Sequence, residues 1–141
     1  HELEEKSGRK IHLLRLGRGT YDAFPVSLLS TQDVDLLSES AGKTIDSRRL
    51  RPNILVAQDK LVEDFDASIG ETVIFGNRQN SAKVDLKMKD PRCKIPNIDP
   101  DTGEVDKSIL KALQGNFNNQ LGLYGDIRST GTIQVGDEIR L

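Results

Sequence analysis

The sequence predicts a mainly β protein, a compact β-barrel decorated with a few short helices. Its apolar segments are short and separated by turn signals, one of them alternates strictly with polar residues, and only two segments have helical character. At 141 residues the chain suits one domain. Aromatic residues make up only 4% and Trp is absent, so the core must be built mainly from Leu, Ile and Val.

The strands follow from short apolar segments bounded by turn-forming residues. They are predicted at residues 9–16, 26–30, 53–57, 72–75, 82–88, 92–98, 121–128 and 138–141. The clearest is 82–88, in which the apolar residues from Ala82 to Met88 share one face and charged residues share the other. The pair Asp90-Pro91 is expected to end this strand.

Two short helices are predicted, near 31–41 and 106–114. The first opens at Thr31 with a Ser/Thr N-cap candidate, has an acidic residue early, and stops at Gly42. The second rests on the apolar stretch 107–113.

The segment 99–103 predicts a tight turn, because its proline presets φ and its glycine accepts a positive φ. Residues 1–8 are polar and are expected to form a frayed arm. The predicted organisation is an N-terminal arm and first strand at 1–20, followed by the barrel domain at 21–141.

Charge and cysteine content limit the classes of function. Twenty basic residues face 22 acidic ones, which argues against a nucleic-acid binder. The single cysteine excludes an internal disulfide and a cysteine-cluster metal site, and it suits a reducing compartment. No apolar run approaches the roughly 20 residues that span a membrane, and no signal peptide is recognised. We therefore expect a cytoplasmic protein without a membrane partner.

Cys93 is the first candidate for chemistry. A free cysteine often serves as a small buried apolar residue. Here it lies among charges in Asp90-Pro91-Arg92-Cys93-Lys94, where apolar filler is less expected. If this segment is extended, Arg92 and Lys94 face away from the thiol and act on it only at long range.

The second candidate is the arginine-rich segment 47–53. Such a run is commonly a solvated surface. If the segment is extended, Arg49, Arg51 and Asn53 share one face, and two guanidinium groups there suit a phosphate. Pro52 is expected to keep Arg51 extended.

The other polar candidates have simpler interpretations. Asp22 in a loop is more typical of a turn than of a site, and His12 fits an apolar strand. Glu63-Asp64 fits a surface or turn, because adjacent residues of a strand point to opposite faces. Two histidines make a His-based zinc site very unfavourable, and the Ser/His/Asp hydrolase and phosphate-loop signatures are missing.

Several segments form one ordered pattern between about Tyr21 and Leu141. They are Arg49-Leu50-Arg51-Pro52-Asn53-Ile54, Glu63-Asp64-Phe65 with Ile69-Gly70, Arg92-Cys93 with Asp99-Pro100-Asp101-Thr102-Gly103, Leu123-Tyr124-Gly125, and Gly131-Thr132-Ile133 with Val135-Gly136-Asp137. In order and spacing they resemble MOSC domains, named after the C-terminal domain of molybdenum-cofactor sulfurase. Phe65 departs from the pattern, because many relatives have Trp there.

The resemblance implies a β-barrel and a set of site residues. Cys93 matches the cysteine taken to bind molybdenum or carry sulfur, and Asp22 matches the loop aspartate close to the metal. Arg51 is implied to hold the phosphate of molybdopterin, with Arg49 or Asn53 nearby. Further cofactor contacts are expected from Arg92 and Tyr124. A thiolate is a soft donor and suits a sulfur-ligated molybdenum centre.

Three functions remain open at this stage. The domain holds the molybdenum cofactor or a sulfur and delivers it to a partner molybdoenzyme, with a cysteine-desulfurase-type sulfur donor. Alternatively it reduces N-hydroxylated compounds with an external electron donor, or it is a degenerate barrel that serves only for interaction. The pyridoxal-phosphate domain of the full sulfurase and the N-terminal β-domain of the amidoxime-reducing relatives are not recognised in these 141 residues, which favours the first.

Overall fold

The computed structural model describes residues 2–11, 22–57 and 65–141, and its elements are mainly short strands. The strands are β1 (Val26–Ser30), β2 (Ile54–Val56), β3 (Thr72–Phe75), β4 (Lys83–Pro91), β5 (Gln120–Ser129) and β6 (Ile139–Arg140). The α-helices are α1 (Glu2–Ser7), α2 (Thr31–Ala41) and α3 (Ser108–Asn116), and three 3-10 turns lie at Ser47–Leu50, Phe65–Ser68 and Ile95–Asn97. The predicted mainly β fold and its two principal helices are confirmed.

The six strands form one curled half-barrel sheet in the order β2-β1-β5-β4-β3-β6. Strands β1 and β2 run parallel, and the other neighbours run antiparallel. Strands β4 and β5 are the longest and lie in the middle of the sheet, so the ladder between them forms its centre. The site described below lies where this ladder ends.

Two apolar cores lie on opposite faces of the sheet. Neighbouring residues Leu28 and Leu29 belong to different cores, as the alternation of a strand requires. One core consists of Leu28, Val73, Phe75, Ala82, Val84, Leu86 and Leu123. The other lies under α2 and α3 and consists of Leu29, Leu37, Ile45, Leu50, Ile109, Leu113 and Leu121.

Gly122 allows β5 to serve both cores. Leu121 and Leu123 are two residues apart and would share a face in a regular strand, yet they pack in different cores. Gly122 has φ +78° and lies at an irregularity in the β4–β5 register, so the alternation is broken there. A β-carbon on Gly122 would lie 2.6 Å from the carbonyl oxygen of Leu28. Glycine is therefore required both by φ and by space.

Helix α2 begins and ends as its sequence predicts. Ser30 is the N-cap and forms a reciprocal capping box with Asp33, while Gly42 ends the helix in the left-handed conformation. The turn at 99–103 is also confirmed, since Gly103 has φ +76° and its N–H donates to the carbonyl of Asp99.

Three local predictions are wrong. Strand β4 runs through Asp90 to Pro91, and a register irregularity between Leu86 and Met88 leaves Met88 exposed instead of aligned with the apolar face. The stretch 92–98 is not a strand. It contains a 3-10 turn with proline in its first turn, where the missing N–H costs nothing.

The N-terminal arm also differs from its prediction. Residues 2–7 form a short helix with acidic residues in its first turn and a Lys6–Glu2 ion pair of 2.7 Å. Most of the predicted first strand, His12, Tyr21 and the Glu63-Asp64 pair lie outside the described residues. Residues 9–11, which are described, are not in a strand.

Candidate functional site

A cavity of about 290 Å³ lies at the end of the β4–β5 ladder. Its borders are the segment before β1, the chain from the Ser47–Leu50 turn to β2, the end of β4 and the Ile95–Asn97 turn. All seven predicted site residues line it, namely Asp22, Arg49, Arg51, Asn53, Arg92, Cys93 and Tyr124. The structure therefore brings together residues that lie far apart in the sequence.

Cys93 is an exposed free thiol on the cavity wall. Its exposure contradicts the alternative of a buried apolar filler. The preceding residue is clamped by Asn119, whose carbonyl accepts from the N–H of Arg92 (2.8 Å) and whose Nδ2 donates to the carbonyl of Arg92 (2.5 Å). The thiol thus extends from a backbone that is fixed immediately before it.

Arg92 points into the protein rather than toward open solvent. Its side chain is 7% exposed, and each of its three nitrogens donates to a protein oxygen. Nε and Nη2 donate to the carbonyl of Leu121 (2.8 and 2.5 Å), and Nη1 donates to the carbonyl of Leu50 (2.7 Å). Nη2 also pairs with the Asp90 carboxylate at 3.0 Å.

Asp90 is the buried carboxylate of the site, and its side chain is 4% exposed. It accepts from the hydroxyl of Ser27 at 2.8 Å, and the hydroxyl of Tyr124 lies nearby and acts on its pKa. Burial raises the pKa of Asp90, while the charge of Arg92 and the two hydroxyl donors act against that rise. A carboxylate so deep is tolerable only because these partners satisfy it.

Tyr124 connects this buried network with the cavity. Burial, and then the negative charge of Asp90, raise the pKa of Tyr124. Its ring lies 6.3 Å from that of Phe24, centroid to centroid, so the two aromatic side chains form one wall. The phenol is therefore a protonated hydrogen-bonding group at neutral pH.

The arginine-rich segment is not extended, which corrects the prediction of a shared strand face. Residues 47–50 form a 3-10 turn capped by Asp46, and Arg51 leaves it in the left-handed conformation with φ +51°. The side chain of Asp46 accepts from the N–H of Arg48. Pro52 disfavours the right-handed helix for its predecessor, but it does not hold Arg51 extended.

Arg49 and Arg51 have different environments although both line the cavity. The side chain of Arg49 is 13% exposed and donates to Asp99 at 2.5 Å and to the carbonyls of Pro96 and Asn97. It therefore fastens one border of the cavity to another. Arg51 is exposed, and within the described part of the chain it has no carboxylate within ion-pair distance. Arg51 is thus the guanidinium available to an anion.

Asn53 and Asp22 complete the predicted set. The backbone N–H of Asn53 donates to the carbonyl of Ser27, and its side-chain oxygen accepts from the Ser27 N–H, both at 2.8 Å. Within residues 2–11, 22–57 and 65–141 the Asn53 amide nitrogen has no hydrogen-bond partner, and Asn53 lines the cavity. Asp22 is exposed on the cavity wall and its charge contributes to the raised pKa values of Asp90 and Tyr124.

Sequence reasoning missed Asp90, Ser27 and Asn119. The pair Asp90-Pro91 predicts a strand break, yet an acidic residue two positions before an arginine also indicates a local ion pair. Ser27 lies in a mainly apolar strand, where a hydroxyl predicts a polar partner from elsewhere in the chain. The doublet Asn118-Asn119 indicates a turn, and both residues have a positive φ. It does not indicate that Asn119 binds Arg92.

Metal ligands from the protein alone are scarce. Among residues 2–11, 22–57 and 65–141 there is no group of three His, Cys, Asp or Glu side chains placed to hold a metal ion. Cys93 is the soft donor of the cavity. A metal bound here would therefore have to bring its other ligands with it.

The comparisons with known proteins define the family. The sequence model of the MOSC domain matches residues 15–140, and the chain belongs to the MOSC domain family, which is associated with the molybdenum cofactor. Mitochondrial amidoxime reducing component 2 from Bos taurus and from Rattus norvegicus are each 26% identical to it over 133 residues. The alignments cover 84% of this chain and 37% of the relatives, so the chain spans little more than a third of their length.

A solved structure shares the fold. The crystal structure of the YUAD protein from Bacillus subtilis aligns with a TM-score of 0.61 and 17% sequence identity, covering 85% of this chain and 64% of that chain. In the described segments no helix is both long enough and apolar enough to traverse a bilayer.

Proposed function

We propose that this domain binds the molybdenum cofactor, with Cys93 as its one protein ligand or as a sulfur carrier. The observation that supports this most is the pairing of two groups in one cavity. An exposed thiol and a guanidinium that has no carboxylate partner among the described residues both line it. A thiolate binds a soft metal, and a guanidinium binds a phosphate, so the two groups match the two ends of a phosphorylated, sulfur-ligated cofactor.

The residues present fit the cofactor. A metal without three protein ligands needs donors from its own carrier, and molybdopterin supplies sulfur donors and a phosphate. When bound, it supplies the redox-active molybdenum centre. Arg51 would hold the phosphate in bidentate fashion, and the Asn53 amide would donate a further hydrogen bond.

The cavity also carries groups of the opposite polarity. Asp22 is an exposed carboxylate, and the Tyr124 hydroxyl is oriented by the buried Asp90. These groups can accept or donate hydrogen bonds to a bound molecule. They would orient a neutral or basic group close to Cys93.

As a carrier, the domain would deliver sulfur or cofactor to a partner molybdoenzyme. Sulfur would arrive from a cysteine-desulfurase-type donor by exchange between its persulfide and the Cys93 thiolate, which requires an accessible thiol. The exposure of Cys93 meets that requirement.

A reductase function is the second candidate, and the names of the relatives favour it. Two mammalian proteins that match 84% of this chain are called amidoxime reducing components. A reductase of N-hydroxylated compounds built on this domain would need an external electron donor. The chain covers only 37% of those relatives, so most of their length is not represented in the match.

Metal and pterin analysis tests the proposal. The protein, purified without oxygen from a host that makes the cofactor, should contain molybdenum and pterin in equal amounts. Cys93→Ser and Arg51→Ala should both lose them. Arg48→Ala is the matched control, because Arg48 lies in the same turn but pairs with Asp46 and Asp101 at the surface.

The two roles of Cys93 separate in a second measurement. Treatment with a cysteine desulfurase and cysteine should add the mass of one sulfur atom to the wild type and none to Cys93→Ser if the domain is a carrier. Turnover of a hydroxylamine with a reductant would instead identify the reductase. Protein that takes up no cofactor and no sulfur would leave only the interaction module.

A further inference from the structure

We propose that Arg92 is a positioning residue that fixes the separation between Cys93 and Arg51. Although it lines the cavity, its side chain is 7% exposed and its nitrogens are engaged with protein oxygens. A direct contact with the cofactor is therefore not its main role. The inference rests on the proposed function for the meaning of the two groups, while the coupling between them is a property of the chain itself.

The guanidinium end of Arg92 holds the Arg51 segment. Its Nη1 donates to the carbonyl of Leu50 at 2.7 Å, and that carbonyl belongs to the peptide bond that leads into Arg51. The N–H of the same peptide donates to the carbonyl of Arg48 at 3.1 Å. Both polar groups of this peptide are thus bound, which stabilises the left-handed conformation at Arg51.

The backbone end of Arg92 holds Cys93. The carbonyl of Arg92 belongs to the peptide bond that leads into Cys93, and it accepts from Asn119 Nδ2 at 2.5 Å. The N–H of Arg92 donates to the Asn119 carbonyl at 2.8 Å. One residue therefore spans the distance from the peptide before the thiol to the peptide before the anion-binding guanidinium.

The middle of the side chain is fixed as well. Nε and Nη2 donate to the Leu121 carbonyl, and Nη2 pairs with Asp90. A β-carbon on Gly122 would lie 3.1 Å from Nη2, so the glycine leaves the space that the guanidinium occupies. The planar fork of arginine can reach both carbonyls at once, whereas a lysine ammonium presents a single nitrogen.

Cross-linking measures the separation directly. Arg51→Cys introduces a second thiol, and bifunctional methanethiosulfonate reagents of increasing spacer length then report the distance between residues 51 and 93. With Arg92 present, we expect one spacer length to dominate. In the Arg92→Lys background, the preference for that spacer should fall by about tenfold, as expected for the loss of one charge-assisted hydrogen bond.

The control separates positioning from general stability. Val73→Ala in the opposite core removes buried methyl groups at a residue that is 1% exposed and has no contact role in the cavity. It lowers the melting temperature without changing the cross-link preference. If Arg92→Lys does not fold, Asp90→Asn replaces it, because it leaves a buried guanidinium without its counter-charge and should loosen the same anchor.

The outcomes are distinct. A broadened spacer range in Arg92→Lys or Asp90→Asn, with Val73→Ala unchanged, supports the proposal. The proposal is overturned if the tested variant folds and its range of spacer lengths is unchanged. It is also overturned if Val73→Ala broadens the range equally. Because the cross-link needs neither metal nor pterin, a failure of the proposed cofactor binding would appear in the metal analysis alone.

Discussion

The guanidinium of Arg92 donates to the carbonyl of Leu50 at 2.7 Å and thereby joins the end of β4 to the turn before β2. These two segments carry Cys93 and Arg51, the two groups that suit the ends of one ligand. The contact is buried and charge-assisted, which makes it stronger than an ordinary surface hydrogen bond. The geometry of the site is consequently set below the surface of the cavity.

Native-state labelling of Cys93 tests its accessibility. Because the thiol is exposed, we expect a thiol reagent to modify the folded protein at a rate close to that of the unfolded chain. The chain has one cysteine, so Cys93→Ser provides a complete blank. Its free energy of unfolding should stay within about 0.5 kcal/mol of the wild type. Labelling that begins only on unfolding would show that the thiol is buried.

Substitution of the two cavity arginines should give opposite results. Arg51→Ala removes an exposed guanidinium, so phosphate or pterin binding should weaken while stability changes by less than about 0.5 kcal/mol. Arg49→Ala removes a largely buried group that holds Asp99 and two carbonyls, and it should destabilise the fold by roughly 1.5–3 kcal/mol. Isothermal titration with phosphate and urea unfolding measure the two effects. Equal losses of stability would contradict this division.

Two glycines provide a matched pair for backbone strain. Gly122→Ala combines φ +78° with a β-carbon 2.6 Å from the Leu28 carbonyl, so we expect a loss of at least about 2 kcal/mol. Gly115→Ala lies in α3 with nothing within 4 Å of the new carbon, and it should stabilise the protein by about 0.5–1 kcal/mol. Urea unfolding of both variants is the measurement, and an unchanged stability of Gly122→Ala would contradict the requirement for glycine at this irregularity of β5.

Acidification should remove the stability that the protein gains from the ion pair of Asp85 with the neighbouring strand. Hydrogen bonds from Arg128 (2.6 Å) and then Thr72 (2.8 Å) lower the pKa of Asp85 to about 2 from its ordinary 3.8. A lowered carboxyl pKa gives stability that is present above 3.8 and lost as the pH falls toward 2. The difference in stability between wild type and Asp85→Asn should therefore shrink over this window. Thermal unfolding at several pH values checks it, and parallel curves would exclude the effect.

The regular elements could be predicted because their signals are local. The segments 26–30 and 72–75 alternate or run apolar between turn residues, and α2 has both of its caps in the sequence. The 3-10 turn at 47–50 was not predicted, because the charged run after Asp46 was interpreted as an extended segment and Asp46 was not recognised as its cap. Strand alternation also fails where an irregularity intervenes, as at Met88.

The site was less accessible to local reasoning. Spacing alone predicts a shared strand face for Arg49 and Arg51. In the structure both residues line one cavity, but they do so from a 3-10 turn and its C-cap and not from a strand. The meeting of Arg51 with Cys93 came from resemblance to a family and not from periodicity, because it depends on tertiary packing. Besides Asp90, the partners of Arg92 are the backbone carbonyls of Leu50 and Leu121, and a backbone carbonyl cannot be recognised from the identity of its residue.

The cavity has two borders of unequal construction. One is the end of the β4–β5 ladder, where Tyr124 is paired with Ser27 of β1 on one side and with Met88 of β4 on the other. The other consists of two 3-10 turns of three or four residues, fastened to each other through Arg49. Substitutions in these turns can reshape the opening while the ladder stays intact. The same sheet can thus be combined with openings of different shape. Selectivity for ligands can change at the border formed by the turns, while the chemistry at the border formed by the ladder is preserved.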